Sequence, residues 1–331
     1  MNGTPDRSPL LVVEGLRTTF PTRAGLVEAV DDVSLTVHAG ECLGVVGESG
    51  SGKSVTFLSV LGLVRPPGRV VARMLRFDGV DLLSLDEGQR RAIRGRDIAI
   101  TMQDALTALN PGFTVATQIT EVMLAHGRAR STDEARSKAI DMLRLVGIPA
   151  AAARLDDYPH QFSGGMRQRI MIATALACRP RLLIADEPTT ALDVTIQAQV
   201  LDLIRDLRAE LGMSVILITH DLGVVAEQAD RVMVMYAGQV VEQGRTAAVI
   251  DRPMHPYTRG LLRSMPSLDT LDQPIRPIPG QVPAATSLPA HCRFLDRCDM
   301  ALETCRVPVA LARPNDDRQS RCLRALEIGN V

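Results

Sequence analysis

The chain of 331 residues contains no Trp, and aromatic residues make up only 3% of it. Its core therefore has to be built from Leu, Val, Ile, Ala and Met. The same scarcity weighs against single-stranded nucleic-acid modules, which stack bases on aromatic rings. Net charge is nearly absent as well: 37 Lys and Arg stand against 38 Asp and Glu, giving −1. No global basic field points to a nucleic-acid partner. No apolar run reaches the ~18 residues of a membrane helix; the longest candidate, 55–64, is shorter and includes Thr, Ser and Gly. Asp6 and Arg7 occur near the start with no apolar stretch of the kind a secretory signal needs.

These absences predict a cytosolic chain, whose six cysteines are not read as structural disulfides. Disorder calls for low hydrophobicity with high net charge, and an apolar fraction of 46% excludes it. Length suggests about two domains.

Four short apolar runs, 43–46, 182–185, 215–218 and 232–235, lack polar alternation and read as strands of a parallel sheet covered on both faces. A helical stretch at 195–211 lies between the second and third, so the order suggests a doubly wound α/β domain. Residues 10–40 alternate apolar and polar with Gly15, Gly25 and Gly40 as breaks, which predicts short antiparallel strands. Ser131 and Glu134 have capping-box spacing ahead of Ala135, Ala139, Leu143 and Val146 at helical spacing. Roughly 107–175 reads as a mostly helical insert. Beyond 250, Pro253, Pro256, Pro266, Pro274, Pro277, Pro279, Pro283 and Pro289 exclude long regular elements and mark a separate extension.

The strongest local signal is Gly47-Glu48-Ser49-Gly50-Ser51-Gly52-Lys53-Ser54, directly after the first apolar run. It fits the phosphate-binding loop pattern, in which backbone N–H groups and a helix N-terminus cradle phosphates. Lys53 would reach the β and γ phosphates, and the Ser54 hydroxyl would ligate Mg²⁺. A second run, 182–185, ends in Asp186 and Glu187. Acids delivered to the carboxyl edge of a sheet suit a Mg²⁺ shell (Asp186) and a general base for the attacking water (Glu187). About 20 residues earlier, Phe162-Ser163-Gly164-Gly165-Met166-Arg167-Gln168-Arg169 opens an apolar helix and offers a second anion site.

Ser163-Gly164-Gly165 at this position resembles the signature motif of ATP-binding cassette (ABC) proteins, and the resemblance extends over essentially the whole chain. It implies an ABC-type P-loop ATPase core at 1–250, with an N-terminal antiparallel β subdomain and a helical subdomain, followed at 251–331 by a Pro- and Cys-rich C-terminal extension. Phe20 matches the aromatic position that stacks on adenine, where Tyr is more usual. Gln103 matches the glutamine that senses γ-phosphate and metal. Thr190-Ala191-Leu192-Asp193 resembles the D-loop, and His220 resembles the switch histidine. In that family two cassettes pair head to tail. Ser163, Gly164 and Gly165 would then serve the partner's nucleotide, and Lys53, Asp186, Glu187 and His220 this chain's own.

Longer stretches resemble the D-type ATPase of bacterial oligopeptide and dipeptide importers: GESGSGKSVT, QFSGGMRQR, IADEPTTALDVTIQAQ, ITHDLGVVAEQADRVMVMYAG, HPYTRGLLRSMP and RPIPGQVP. The resemblance implies a second, F-type ATPase, two membrane permeases and an extracytoplasmic solute-binding protein as partners, with this subunit peripheral on the cytoplasmic face of the membrane. Related ATPases serve nickel, glycosides or opines, so the cargo stays open. Met102-Gln103-Asp104-Ala105 departs from the subfamily's usual Phe before Gln and Pro after Asp. Soluble repair and translation types fit less well, because the chain has one cassette and no sustained heptads.

Cys292, Cys298, Cys305 and Cys322 cluster in the extension. Soft thiolates select an iron–sulfur cluster or Zn²⁺, whereas close zinc-type Cys pairs are missing. A [4Fe–4S] cluster, Zn²⁺ and unligated thiols all remain open. Eight arginines between 65 and 96 are interspersed with Asp78, Asp81, Asp86 and Glu87, which reads as a solvated mixed surface, with a phospholipid-facing patch as the alternative.

Overall fold

The computed structural model describes residues 8–190, 192–264, 277–315 and 318–329. Asp6, Arg7, Ala191, Pro266, Pro274 and Arg276, invoked above, lie outside the described residues. The chain forms two compact units, one from residues 1–83 and 219–331 and the other from 84–218.

The first segment of unit 1 supplies β1 (Pro9–Thr22), β2 (Gly25–His38), β3 (Cys42–Val46), β4 (Arg69–Val71), β5 (Met74–Phe77) and β6 (Val80–Asp81). Unit 2 contributes β7 (Ile98–Thr101), β8 (Leu182–Asp186) and β9 (Ser214–Thr219), whose last residue falls at the boundary. The returning segment of unit 1 adds β10 (Arg231–Tyr236), β11 (Gln239–Arg245), β12 (Ala312–Asn315) and β13 (Arg318–Ser320).

In unit 1, β1 pairs antiparallel with β2, β4 and β5. The expected short strands are instead two of 14 residues each. Gly15 does not end a strand; the register shifts between Val13 and Leu16, so the bend is absorbed as a bulge. The second sheet of this unit runs β12-β13-β11-β10-β3, with β10 parallel to β3 and the remaining neighbours antiparallel. Two strands of the C-terminal extension thus continue this sheet. Its proline-rich sequence still limits regular structure, and among the described residues the longest helix there is Pro256–Arg263. Tyr257 and Phe294 from the extension join Val46, Val234 and Tyr236 in one buried cluster.

In unit 2, β7, β8 and β9 are parallel neighbours. Every residue of β8 and β9 is buried, as expected for strands without polar alternation. The intervening sequence is helical at Val115–Ala125, Thr132–Leu145 and Gly164–Leu176. Ser131 Oγ accepts the Glu134 N–H at 3.2 Å and caps the middle helix. The reciprocal half of the expected box is redirected: Glu134 Oε2 accepts the Arg130 N–H at 2.8 Å. Among the described residues no helix is long and apolar enough to cross a membrane. The arginine-rich region carries local ion pairs, Arg94 to Glu87 at 2.6 Å and Arg96 to Asp97 at 2.6 Å among them, which fits a mixed solvated surface.

Candidate nucleotide site

In unit 1 the buried strand β3 runs straight into the phosphate loop, which ends at the helix Lys53–Val60. Two glycines are required by close approach. A Cβ on Gly47 would lie 2.2 Å from the Met235 carbonyl oxygen, and one on Gly52 would lie 2.4 Å from that of Ala29. Gly52 also has φ 97° as the residue preceding the helix, a conformation L side chains rarely adopt. The loop therefore nests against β10 and the first part of β2 through backbone alone. Lys53 is buried, and its ammonium donates to the carbonyl oxygens of Gly47 at 2.7 Å and Glu48 at 3.0 Å. Those bonds hold the amine along the loop on which phosphates would sit. Ser51 and Gly52 are buried, Ser54 is half-buried, and Ser49 and Gly50 are exposed.

Phe20 lies in β1 opposite Val27, half-buried. His220 is exposed immediately after β9. Asp221 fixes the turn there, accepting the Gly223 N–H at 2.7 Å while its own N–H donates to Thr219 Oγ1 at 3.1 Å.

In unit 2, Asp186 is the last residue of β8 and is buried. Glu187 follows with φ 45°, and its N–H donates to the Ile218 carbonyl at 2.9 Å. That left-handed turn at a bulky residue swings the carboxylate out of the strand direction. Gln103 Nε2 donates to Glu187 Oε2 at 2.8 Å and Thr190 Oγ1 donates to the same oxygen at 2.9 Å. The sequence-predicted pair Gln103 and Glu187, 84 residues apart, is thus brought into contact. Asp193 caps the helix Val194–Leu211 through the Ile196 N–H at 2.9 Å.

Ser163 opens the helix Gly164–Leu176, its hydroxyl accepting the Met166 N–H at 3.4 Å. Ser163 and Gly164 are exposed, and a Cβ on Gly165 would stand 2.7 Å from Ile196 Cγ2. The helix N-terminus keeps a bare backbone surface of the kind that binds anions.

Three contributors escape a reading of local motifs: Thr190, Tyr257 and Arg297. Thr190 was visible only as part of the D-loop stretch. The Tyr257 hydroxyl accepts the Glu48 N–H at 2.9 Å, and Arg297 pairs with the Glu48 carboxylate at 2.9 and 3.1 Å.

The six cysteines are free. Cys292, Cys298, Cys305 and Cys322 line one narrow cavity of about 20 Å³ with Phe294, Leu295 and Ile328, room for about one water molecule. Burial pushes the Cys292 and Cys298 thiols up and that of Cys322 up to about 11. Among the described residues no group of three or more His, Cys, Asp and Glu side chains is placed to hold a metal ion. The donors are of the right chemistry for a soft metal, but their arrangement is not a ligand set.

Residues 30–190 match the family model described as ABC transporter, and 241–305 match the one described as oligopeptide/dipeptide transporter, C-terminal region. The dipeptide transport ATP-binding protein DppD of Escherichia coli (strain K12) is 50% identical over 315 residues, 95% of this chain and 96% of that protein. A Brucella abortus (strain 2308) protein named for peptide import is 49% identical over 335 residues, covering 97% and 99%. Among solved structures, the dimeric post-hydrolysis ATP-binding cassette MJ0796 bound to ADP and Pi gives a TM-score of 0.64 at 27% identity, covering 71% of this chain and 98% of that one. CbiO1 from Clostridium perfringens, part of the transporter complex cbiONQ, gives 0.60 at 28%, covering 73% and 91%. With a phosphate loop, a glycine-opened signature helix and a strand leading into two acids in this order, the chain belongs to the ABC transporter ATPases, within the group that carries the oligopeptide/dipeptide transporter C-terminal region.

Proposed function

We propose that this chain is the ATP-hydrolysing subunit of an importer of oligopeptides or dipeptides. The observation that carries the cargo is the C-terminal match over 241–305, since the cassette alone is common to transporters of every solute. It would act with a second ATPase of F-type, two transmembrane permeases and an extracytoplasmic solute-binding protein, at the cytoplasmic face of the membrane. The identity of 50% with a dipeptide transport ATPase supports this reading.

The residue roles follow from chemistry. The backbone of Gly47, Ser49, Gly50, Ser51 and Gly52 cradles the phosphates, Lys53 neutralises their charge, and Phe20 offers a π face to the adenine. Ser54, Asp186 and Gln103 supply hydroxyl, carboxylate and carbonyl oxygens, a hard donor set that suits Mg²⁺. Because the Gln103 amide nitrogen is committed to Glu187, its carbonyl oxygen is the donor available to the ion. Bound Mg²⁺ would neutralise charge developing on the phosphate oxygens. Glu187, oriented by Gln103 and Thr190, takes the proton of the attacking water, and His220 contacts the γ-phosphate. Ser163, Gly164 and Gly165 face the nucleotide of the second ATPase in a head-to-tail dimer.

A [4Fe–4S] cluster, or Zn²⁺ in its place, at Cys292, Cys298, Cys305 and Cys322 is a further part of the proposal. Its support is the single cavity that all four thiols line. The thiols would have to rearrange around the metal, and no step of hydrolysis is assigned to it. Anaerobic purification followed by absorbance near 400 nm and analysis for iron, sulfide and zinc decides between cluster, zinc and free thiols.

The importer reading is tested by uptake of labelled di- to pentapeptides in cells lacking the gene, complemented with wild type or with Glu187→Gln. Rescue by wild type alone supports it. Undiminished peptide uptake without the gene refutes the peptide cargo and directs attention to nickel, glycosides or opines.

A further inference from the structure

In a chain so poor in aromatics, two of the three tyrosines and one of the six phenylalanines meet at one point. Tyr236, Tyr257 and Phe294 have ring centroids 4.7, 5.3 and 5.4 Å apart. All three are buried. Tyr257 and Phe294 come from the C-terminal extension, and the cluster reaches the phosphate loop through polar atoms at its edge. The Tyr257 hydroxyl accepts the Glu48 N–H at 2.9 Å, and burial keeps that phenol protonated. The Arg297 side chain is only 6% exposed. Its Nη1 and Nη2 donate to the two carboxylate oxygens of Glu48 at 2.9 and 3.1 Å, a bidentate pair. The remaining donors are spent inside the extension and the cluster: Nε to the Pro279 carbonyl at 2.8 Å and Nη1 also to the Tyr236 hydroxyl at 3.3 Å. Arg297 therefore has one rigid setting.

Glu48 is the second residue of the phosphate loop, and its carbonyl also accepts from Lys53 Nζ at 3.0 Å. Main chain and side chain of the same loop residue are thus gripped from the extension, while its carbonyl helps aim the phosphate-binding amine. Arg297 ends a short 3-10 turn, Leu295–Arg297, between two of the clustered cysteines. That turn is tied by Leu295 N–H to the Cys292 carbonyl at 3.1 Å and Cys298 N–H to the Leu295 carbonyl at 3.2 Å.

We infer that Arg297, supported by Tyr257, is a positioning residue for ATP binding, through which the cysteine-bearing segment holds the phosphate loop in its receiving shape. The inference rests on the reading of Gly47 to Ser54 as the phosphate site. It goes beyond that reading by making the C-terminal extension a determinant of nucleotide affinity.

The test measures KM for ATP, kcat and equilibrium ATP–Mg²⁺ affinity on the full chain, with thermal melts to verify folding. Arg297→Met is expected to raise KM about tenfold with kcat within about twofold, the loss typical of one charge-assisted contact. Arg297→Lys keeps a cation beside Glu48 and is expected to recover part of the affinity, to about threefold above wild type. Glu48→Gln should raise KM by a similar amount, and combining it with Arg297→Met should add nothing further, because both remove one interaction. Unchanged KM in a folded Arg297→Met chain, a fall in kcat alone, or additive losses in the double variant would overturn the inference. Should Arg297→Met not fold, Glu48→Gln and Arg297→Lys decide by the same criteria. Lys53→Ala is the control for the underlying reading: normal ATP binding by that variant would refute the phosphate site itself, whatever Arg297 does.

Discussion

Glu187→Gln probes the hydrolytic centre with the smallest change available. The substitution exchanges one carboxylate oxygen for an amide nitrogen and conserves volume. Both hydrogen bonds from Gln103 and Thr190 go to a single oxygen, Oε2, at 2.8 and 2.9 Å. The amide oxygen of Gln can occupy that position and accept both. The turn itself depends on φ 45° and on the backbone bond to Ile218, neither of which involves the side-chain charge. What disappears is the basicity needed to take a proton from water. General-base assistance is typically worth ~10²–10⁴-fold, or about 2.7–5.4 kcal/mol of barrier at ~1.36 kcal/mol per decade. ATP turnover should therefore drop at least ~100-fold, with ATP affinity within about threefold and stability within about 0.5 kcal/mol of wild type. Phosphate release, equilibrium ATP binding and a thermal melt on one preparation suffice to measure all three. Turnover within about tenfold of wild type would remove Glu187 as the base. Loss of ATP binding in parallel with turnover would make it a binding residue instead.

Gly52→Ala places a Cβ 2.4 Å from the Ala29 carbonyl at φ 97°. Backbone strain and overpacking together should cost about 2–5 kcal/mol in chemical denaturation, and an unchanged midpoint would show that the loop yields. Ser131→Ala removes the cap of Thr132–Leu145 and should cost about 1 kcal/mol without changing ATP turnover; equal urea midpoints would refute the cap's contribution. Glu242 is fully buried and accepts the Met254 and His255 N–H groups at 2.8 and 3.0 Å, and burial pushes its carboxyl up to about 7. Because the folded state holds the proton more tightly than the unfolded one, stability should fall as pH rises from about 4.5 to about 7 and level off above. Glu242→Gln should flatten that stretch of the pH–stability curve, and an identical slope in both proteins would refute the assignment.

The strands carrying the candidate site were legible in sequence to within a residue, as were the cap at Ser131 and the helix Val194–Leu211. Short apolar runs without polar alternation have few other solutions in a buried parallel sheet. The segment 10–40 was less legible, because a glycine in an alternating pattern signals either a break or a bulge. Only pairing across β1 and β2 distinguishes them, and Gly15 is a bulge. The strand β7 went unread, since four residues without alternation carry too little periodicity.

Local order along the chain was enough to specify an ATPase: each nucleotide motif is a short stretch in which residue type and backbone conformation act together. Contacts between distant residues required the folded chain. Gln103 meets Glu187 across 84 positions, and Glu48 meets Tyr257 and Arg297 across 209 and 249. No periodicity links such positions, because their proximity is produced by strand pairing and by burial of the aromatic cluster. The sequence marked the C-terminal extension as separate by its prolines, whereas hydrogen bonding and packing join it to the sheet and the phosphate loop of the same unit.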